Sequence, residues 1–526
     1  MAETLLGLIP SPVTARRGEG ELVLAEARTL SLGDAALLPL VTRFRDTLRC
    51  LTGIELPVPR VEEAVSARPA VRIESGADGV RELAVPGGRR ADDGDAGCES
   101  YALEVDREGV RVRAGEAEGV HRGLTSVVQL AGSGGGRVPC GRVLDAPRFA
   151  WRGLSLDVVR TFLPIDEVKR VIDMLSLYKM NVLHLHLTDD EGWRLEISSW
   201  PRLTEIGARG ARNGRPGGYY SREEFRDLVA YARERFVTIV PEIDVPGHVG
   251  AALAAHPDLA HRPVAGPPTS FGSLAPGSDL VWRFVREVLT EGAYIHIGGD
   301  EAFGMTDDDH ARFVSGAVRL VRELGKKAIG WQEAVRGDLG PDEIVQYWID
   351  FAAEAAARDV SQFPADLAFL ATMFAKATGD LPEAARKRTG VLLSPNAHAY
   401  LDRPHGDPST DPSQEAGRGR LGLRSYPATS LEAFADWEPL DVAPGIDPSV
   451  IVGVEAALWC ETVQDADDLE QLLLPRLPGV AEAGWAPPGG FSWERHRTGL
   501  ARHAGMWRRA DWGWYHAASV EWPPAP

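Results

Sequence analysis

Residues 293–301 read Ala-Tyr-Ile-His-Ile-Gly-Gly-Asp-Glu, a short apolar run that ends in two glycines and two adjacent carboxylates. The run has the length and composition of a buried β-strand, and the glycines mark the point at which it ends. Two neighbouring carboxylates are costly to bury there unless a proton, a cation or a hydrogen bond compensates them. A solvent-facing strand end is the ordinary interpretation of an isolated Asp-Glu pair, so the rest of the sequence must decide.

Seven further runs of the same kind lie on either side of this one, and helix-like segments separate them. Between the first two runs, an amphipathic helix is predicted to begin after Pro164. Strands that alternate with helices predict an α/β fold with a closed (β/α)8 TIM barrel, whose active site lies where the strands end. The eight candidate strands are residues 154–156, 182–187, 237–240, 294–297, 327–331, 344–348, 391–393 and 451–454.

The chain has 526 residues, which exceeds what one hydrophobic core usually supports. We therefore predict a smaller α/β domain over residues 1–145, the catalytic barrel over 146–505 and a C-terminal tail over 506–526. Within the first domain the sequence predicts strands at residues 21–24 and 71–73, a helix at 38–44 and a glycine-rich turn or linker at 132–136.

Two segments are longer than ordinary barrel connections. Residues 349–388 are rich in alanine and predict helix, and residues 402–445 form a loop rich in Pro, Gly and Asp. We interpret both as possible covers over the mouth of the barrel.

Composition limits the classes of partner. The formal charge of −19 disfavours binding to nucleic acid or to an anionic membrane, since both reward a basic surface. Four scattered cysteines suggest mostly buried thiols, not a disulfide framework or a metal cluster. The first ten residues do not resemble a secretory signal, so a cytoplasmic location is expected. No feature of the sequence predicts the oligomeric state.

The residues at the ends of the candidate strands and just after them are mainly carboxylates and aromatics. Aromatic rings stack on the apolar face of a sugar, while carboxylates and arginine bind its hydroxyls, so this mixture suits a carbohydrate pocket. Core packing is the alternative role for each tryptophan taken alone. The strand-end residues are Asp157, Arg160, His184, His186, Asp189, Asp190, Glu242, Asp244, His248, Asp300, Glu301, Trp331, Glu333, Trp348, Tyr400, Asp402, Trp459 and Glu461.

His184 and His186 support a different hypothesis. Two residues apart on a strand, they point to the same face, as metal ligands do in an amidohydrolase-type barrel. Hydrogen-bonded core histidines would produce the same alternation, so the pattern alone leaves both readings open.

Four ordered segments resemble motifs of glycoside hydrolase family 20, the β-N-acetylhexosaminidases: residues 151–160, 179–194, 241–248 and 296–301. The resemblance spans nearly the whole chain. It implies exo-acting removal of terminal β-linked GlcNAc or GalNAc from a small carbohydrate, with no metal and no cofactor. It also implies retention of configuration, with the acetamide of the substrate as the nucleophile.

The resemblance assigns catalysis to Asp300 and Glu301. Glu301 would protonate the leaving oxygen and later deprotonate water, while an ionised Asp300 would orient the acetamide and stabilise charge on its nitrogen. The remaining positions would bind the substrate. Tyr400 would donate to the acetamide oxygen, Trp331, Trp348 and Trp459 would enclose the ring, Arg160, Asp402 and Glu461 would hold the outer hydroxyls, and Asp189 and His248 would adjust the acid.

Three features depart from the family pattern, namely Thr161, Cys460 and the long segment 349–388. None of them removes a catalytic group, but they leave the leaving-group side and the natural substrate open. A separate alternative is a catalytically silent sugar-binding homologue that kept the pocket.

Overall fold

The predicted barrel is confirmed in the computed structural model of the chain. Eight strands, one at each predicted position, pair in parallel and close on themselves in the order β10-β11-β12-β13-β14-β15-β8-β9. They are β8 (Trp151–Asp157), β9 (Val182–His186), β10 (Thr238–Glu242), β11 (Tyr294–His296), β12 (Lys327–Trp331), β13 (Ile344–Tyr347), β14 (Gly390–Leu393) and β15 (Ile451–Leu458). The structure describes residues 7–61, 67–76, 80, 83–84, 86–92, 94–261, 272–289, 292–351 and 368–524.

The barrel interior changes character from one end to the other. Near the strand starts, one buried apolar side chain from each strand contributes to a common cluster that closes this end. Towards the strand ends the interior is polar, with His184, Glu242 and Glu455 buried. The apolar layer contains Trp151, Val182, Val240, Tyr294, Ile329, Ile344, Leu392 and Val452.

A mixed seven-stranded sheet precedes the barrel, with the strand order β1-β7-β5-β6-β4-β2-β3. One helix packs so closely on this sheet that a Cβ on Gly123 would lie 2.6 Å from Val112 Cγ1. The glycine-rich residues 134–136 form a turn before the last strand of this sheet. The strands are β1 (Thr14–Val23), β2 (Thr29–Leu32), β3 (Arg60–Val61), β4 (Ala70–Ser75), β5 (Tyr101–Asp106), β6 (Gly109–Ala114) and β7 (Arg137–Asp145).

Helices pack on both sheets, and the helix predicted after Pro164 is present with Asp166 and Glu167 in its first turn. The α-helices are α1 (Leu38–Thr52), α2 (Ala117–Ser133), α3 (Ile165–Leu177), α4 (Arg202–Glu205), α5 (Arg222–Arg233), α6 (Gly250–Ala255), α7 (Asp279–Val288), α8 (Asp307–Glu323), α9 (Ala368–Ala377), α10 (Asp380–Lys387), α11 (Asn396–Ala399), α12 (Pro412–Gly417), α13 (Leu431–Ala435), α14 (Ala466–Leu473), α15 (Leu477–Trp485) and α16 (Trp493–Arg509).

Buried charges join the first domain to the barrel. Glu99 accepts a hydrogen bond from Arg122 Nε at 2.8 Å and a second from the guanidinium of Arg152, a residue of barrel strand β8. Lys179 Nζ lies 3.0 Å from Asp145 Oδ2 at a second point of the same junction. Because all of these side chains are buried, the two units are held together by desolvated ion pairs.

The predicted boundaries of the domains stay predictions, and one element crosses the second of them. Helix α16 (Trp493–Arg509) runs through the boundary between 505 and 506. Its Trp507 donates to Tyr178 Oη at 2.8 Å, and Met506 packs so tightly on α2 that a Cβ on Gly132 would lie 2.3 Å from its Sδ. The helix therefore contacts both the barrel side and the first domain.

Other expectations have mixed outcomes. Cys140 and Cys460 are buried, but Cys50 is exposed and Cys98 half-buried, so the expectation of mostly buried thiols is met by only two of the four. Part of the predicted helical segment 349–388 is helical, in α9 and α10, whereas residues 352–367 lie outside the described residues. Within the part of the chain that is described, no helix has both the length and the apolarity that a bilayer span requires.

Candidate active site

Backbone geometry at the end of β11 fixes the two adjacent carboxylates. Gly298 and Gly299 have φ values of +66° and +90°, a region that glycine adopts without strain. A Cβ on Gly298 would lie 1.7 Å from Asp244 Oδ1, so this position accepts no side chain. Gly299 donates its N–H to the same Asp244 oxygen at 3.2 Å. The strand therefore turns sharply and places Asp300 and Glu301 at the barrel mouth.

The structure brings almost all of the predicted site residues into one cavity of ≈ 200 Å³ at that mouth. Among the residues that were assigned to catalysis or substrate binding, Asp402 is the exception, because it is buried and does not belong to the lining. The other strand-end residues outside the lining are Asp157, His184, Asp190, Glu242 and Glu333. Leu423 and Tyr426, which the sequence did not single out, come from the long segment 402–445, so part of that segment lines the cavity at the mouth. The lining comprises Arg160, His186, Asp189, Asp244, His248, Asp300, Glu301, Trp331, Trp348, Tyr400, Leu423, Tyr426, Trp459 and Glu461.

A chain of charges leads from Arg160 to the carboxylate pair. Arg160 Nη2 lies 2.7 Å from Asp189 Oδ2, and His248 Nδ1 donates to Asp189 Oδ1 at 3.1 Å. The other ring nitrogen of His248 lies 3.7 Å from Asp300 Oδ2 and 3.5 Å from Glu301 Oε2. Burial alone would lower the pKa of His248, but the charges of Asp189 and Asp244 outweigh it and raise the pKa well above its usual range. A cationic imidazolium thus faces both carboxyl groups.

The surroundings of Asp300 act on the protonation of this residue, which the resemblance expects to be ionised. Burial raises the pKa of Asp300 well above its usual range, and the neighbouring charge of Asp244 adds to this effect. His248 opposes the shift without cancelling it. Burial and Asp244 therefore make ionisation of Asp300 harder than in water, whereas a positive charge next to the carboxyl group favours its ionised form.

Aromatic side chains form the walls of the cavity. The rings of Trp348 and Tyr400 are nearly parallel, at 12° and 6.3 Å, and Trp459 lies 5.7 Å from Trp331. Trp331 is held by a hydrogen bond of 2.9 Å from its Nε1 to Glu242 Oε1. Burial raises the pKa of Tyr400 well above its usual range, so its hydroxyl stays protonated and can donate to a ligand.

Several buried polar atoms around the cavity have no hydrogen-bond partner within the described residues. They include Oδ1 of Asp300, both carboxyl oxygens of Asp402 and Oε2 of Glu461. Buried polar groups are normally paired, because an unpaired group costs about 1–3 kcal/mol. These atoms are suited to the hydroxyl and amide groups of a bound polar molecule.

Asp157, at the end of β8, fastens the two loops that carry Arg160 and Glu461. Its Oδ1 accepts from Arg160 N at 3.0 Å, and its Oδ2 accepts from Cys460 N at 3.0 Å. Thr161 Oγ1 in turn donates to Cys460 O at 3.0 Å. The two single-residue departures from the family pattern, Thr161 and Cys460, are therefore in contact with each other and support the same loops.

The ring nitrogens of His184 and His186 are occupied by carboxylates. His184 lies 2.9 Å from Glu455 Oε1 and 3.1 Å from Glu242 Oε2, and His186 lies 2.6 Å from Glu242 Oε2 and 2.7 Å from Asp189 Oδ2. Burial opposes the charge of His184, but Glu242 and Glu455 raise its pKa to about 9. Some of the nitrogen and oxygen atoms in this region lie close enough together to act as ligands of one metal ion, for example those of His184, Glu242 and His296. Hydrogen bonding accounts for the arrangement and supports the core-histidine reading.

Glu333 has a position that the sequence pointed to without assigning a role. It lies in a short 3₁₀ turn, Gln332–Arg336, directly after β12. Its Oε2 accepts from Trp348 Nε1 at 3.2 Å, and Gln332 Oε1 accepts from Trp348 N at 3.1 Å. Burial, followed by the charge of Asp300, raises the pKa of Glu333 well above its usual range. Glu333 therefore positions the Trp348 wall through this hydrogen bond, in surroundings that disfavour its charged form.

We expect Glu333→Gln to keep kcat and KM near those of the unchanged protein, since glutamine is neutral and retains an acceptor for Trp348. Glu333→Ala leaves the indole N–H unpaired and is expected to raise KM by about 10- to 100-fold. Steady-state kinetics on an aryl β-N-acetylglucosaminide, with thermal unfolding as the control for folding, measures both. Equal losses in the two variants would show that an ionised carboxylate is needed at this position.

Comparison with known proteins agrees with this geometry. The family model for the catalytic domain of glycosyl hydrolase family 20 matches residues 149–488, and the model for domain 2 of the same family matches residues 5–146. A β-N-acetylhexosaminidase of Cellulomonas fimi is 36% identical over 537 aligned residues, which cover 98% of this chain and 97% of that protein.

Solved structures give the same result. The family 20 β-N-acetylhexosaminidase of Streptomyces coelicolor superposes with a TM-score of 0.80 at 31% identity, covering 99% of this chain and all of that one. A mutant β-hexosaminidase of Streptomyces plicatus, in complex with its product GlcNAc, superposes with a TM-score of 0.80 at 31% identity and covers 99% of each chain.

Proposed function

Because this chain belongs to glycoside hydrolase family 20, we propose that it removes single terminal β-linked N-acetylhexosamine residues from small oligosaccharides, by a retaining mechanism in which the acetamide of the substrate is the nucleophile. The chain is a glycoside hydrolase of the β-N-acetylhexosaminidase type. The finer proposal is supported above all by the ≈ 200 Å³ cavity, which is smaller than the range of about 300–1,000 Å³ typical for drug-sized ligands and suits one sugar unit.

In the first step Glu301 donates its proton to the glycosidic oxygen while the acetamide carbonyl oxygen attacks C1. The bond between C1 and the leaving oxygen breaks, an alcohol departs, and an oxazolinium ring forms on the sugar. Tyr400, as a protonated phenol, donates to the acetamide oxygen and holds it near C1, which converts positioning into rate. Asp300 accepts from the acetamide N–H and stabilises the positive charge that develops there.

In the second step Glu301, now a carboxylate, removes a proton from water, and the water oxygen attacks C1. The bond between C1 and the acetamide oxygen breaks, and the neutral acetamide is restored. Each step inverts C1, so the product retains the β configuration. His248, which lies within 3.7 Å of both carboxyl groups, stabilises whichever of them is negative at each stage.

Because the two catalytic carboxyl groups belong to consecutive residues, the acetamide of the substrate is a better candidate for the nucleophile than a carboxylate of the protein. Retaining enzymes that form a covalent intermediate place two carboxyl groups about 5–5.5 Å apart on opposite faces of the sugar. Asp300 and Glu301 are consecutive residues and share the neighbour His248. The arrangement suits one acid and one orienting group on the same side.

A matched pair of aryl β-glycosides, with and without the 2-acetamido group, tests this proposal. We expect the substrate without acetamide to lose at least about 10³-fold in kcat/KM, because it lacks the nucleophile and the contacts of Asp300 and Tyr400. NMR of the released sugar should show the β anomer first. Comparable rates on both substrates, or an α product, would contradict the mechanism. Tight binding of a thiazoline analogue without turnover of any glycoside would favour the silent homologue instead.

A further inference from the structure

A second cavity, of ≈ 320 Å³, adjoins the sugar site. Among the residues that the structure describes, Glu301 is the one that lines both cavities. The rest of the described wall comes from the loop that follows Glu301, from the first turn of helix α8 (Asp307–Glu323), from the 3₁₀ turn Gln332–Arg336 and from helix α9 (Ala368–Ala377). A group attached to the oxygen that Glu301 protonates can therefore extend into this second cavity.

The wall of this cavity has an apolar part made of adaptable side chains. Phe303, Met305 and Met373 are all half-buried, so each keeps some surface that a ligand can cover. The whole chain contains six methionines, and two of them lie here. Methionine is flexible and polarisable, which suits contacts with apolar groups of varied shape.

The charges of the cavity are already paired with each other. Lys376 Nζ donates to Asp307 Oδ1 at 2.6 Å, and Arg336 donates to both carboxyl oxygens of Asp380 at 2.8 and 2.7 Å. Since each described cation of the wall has its own carboxylate, an anionic ligand would gain no unpaired positive partner and would be repelled by Asp307.

We propose that this second cavity binds the leaving group of the substrate, and that it selects an uncharged group with an apolar face, alkyl or aryl, over an anionic one. The inference rests on the proposed function, because only there does Glu301 transfer its proton to the oxygen between the sugar and the leaving group. That proton stays on the departing alcohol, which is released from the second cavity while the sugar remains in the first.

A series of n-alkyl β-N-acetylglucosaminides from methyl to hexyl tests the inference. Their alcohols have nearly the same acidity, so differences in kcat/KM report contacts of the leaving group. Each methylene that enters the cavity is expected to raise kcat/KM by about two- to fourfold. A glycoside whose alkyl group has the same length but ends in a carboxylate should react more slowly than the neutral glycoside. A faster reaction of the carboxylate would overturn the assigned selectivity.

Phe303→Ala and Met373→Ala should flatten the dependence of kcat/KM on chain length. Phe491→Ala provides a matched control, because this half-buried phenylalanine lines neither cavity and its removal should leave the dependence intact. A thiazoline derived from N-acetylglucosamine occupies only the first cavity. Its inhibition constant should change by less than about threefold in the Phe303 and Met373 variants, because neither substitution alters a residue of that cavity.

Two failures are distinguishable. Equal rates along the series in the unchanged protein, or a full dependence on chain length in both alanine variants, would overturn the leaving-group site while the proposed function stands. An unchanged protein that hydrolyses no glycoside of the series and is not inhibited by the thiazoline would overturn the proposed function itself, and this inference with it.

Discussion

Glu301→Gln should lower kcat/KM for an alkyl β-N-acetylglucosaminide by about 10²- to 10⁴-fold, the range that general acid catalysis usually contributes. Glutamine keeps the size of the side chain but has no proton to give. A dinitrophenyl glycoside, whose leaving group is stable as an anion, needs no protonation and should lose much less in its first step. The ratio of the two losses, measured by steady-state and burst kinetics, identifies Glu301 as the acid.

Glu323→Gln is a suitable control, because Glu323 is exposed on α8 and its ion pair with Arg286, at 2.8 Å, lies outside the cavity at the barrel mouth. It should change neither rate. Thermal unfolding of the Glu301 variant should match that of the unchanged protein, since Glu301 is only half-buried at the barrel mouth. Equal losses on the alkyl and the dinitrophenyl glycoside would contradict the assignment of the acid.

Asp300→Asn should lower kcat/KM by about 10²- to 10³-fold on both glycosides, because loss of electrostatic stabilisation slows ring formation whatever the leaving group. The variant therefore differs from Glu301→Gln in its insensitivity to the leaving group. Asp258→Asn, which changes an exposed aspartate on another turn, serves as the control for the substitution itself. If Asp300→Asn instead lost much more activity on the alkyl glycoside than on the dinitrophenyl glycoside, Asp300 and not Glu301 would be the general acid.

The raised pKa of Asp300 adds a pH dependence to the same experiment. The catalytically useful form of Asp300 is the ionised one, and burial raises the pKa at which it forms in the free protein. The profile of kcat/KM, which reports the free enzyme, should therefore rise with pH as Asp300 loses its proton. This ascending limb should be absent from the residual activity of Asp300→Asn, which has no such proton. Its persistence there would assign the limb to another group.

Strand positions and strand ends were the parts of this protein that the sequence predicted best. Short runs such as Val182–His186 and Lys327–Trp331 can be recognised from the sequence. They are rich in apolar residues, and polar residues follow soon after each of them. Active sites of such barrels lie at the carboxyl ends of the strands, and this rule predicts that Trp331, Trp348 and Trp459 belong to the site. In the structure β13 ends at Tyr347, which places Trp348 just beyond the strand and in the cavity wall.

Contacts between distant residues were not predictable in the same way. The alternation around His184 indicated a shared face, but its partners Glu242 and Glu455 lie 58 and 271 residues away and only the closed barrel brings them together. The raised pKa of Asp300 was not predictable for the same reason, because it depends on burial beside Asp244. Sequence spacing also gave no sign of the second cavity, whose wall is assembled from three separate connections.

The ion pairs at Glu99 make the barrel an unsuitable module to separate from the preceding domain. Arg152 belongs to the first barrel strand, yet its guanidinium is neutralised by a carboxylate of the other domain. Taking away one partner of such a buried pair typically costs about 3–5 kcal/mol, comparable to a large part of the stability of a whole domain. Gene fusions or domain exchanges in this lineage should therefore inherit both domains as one unit, although only one of them holds the sugar.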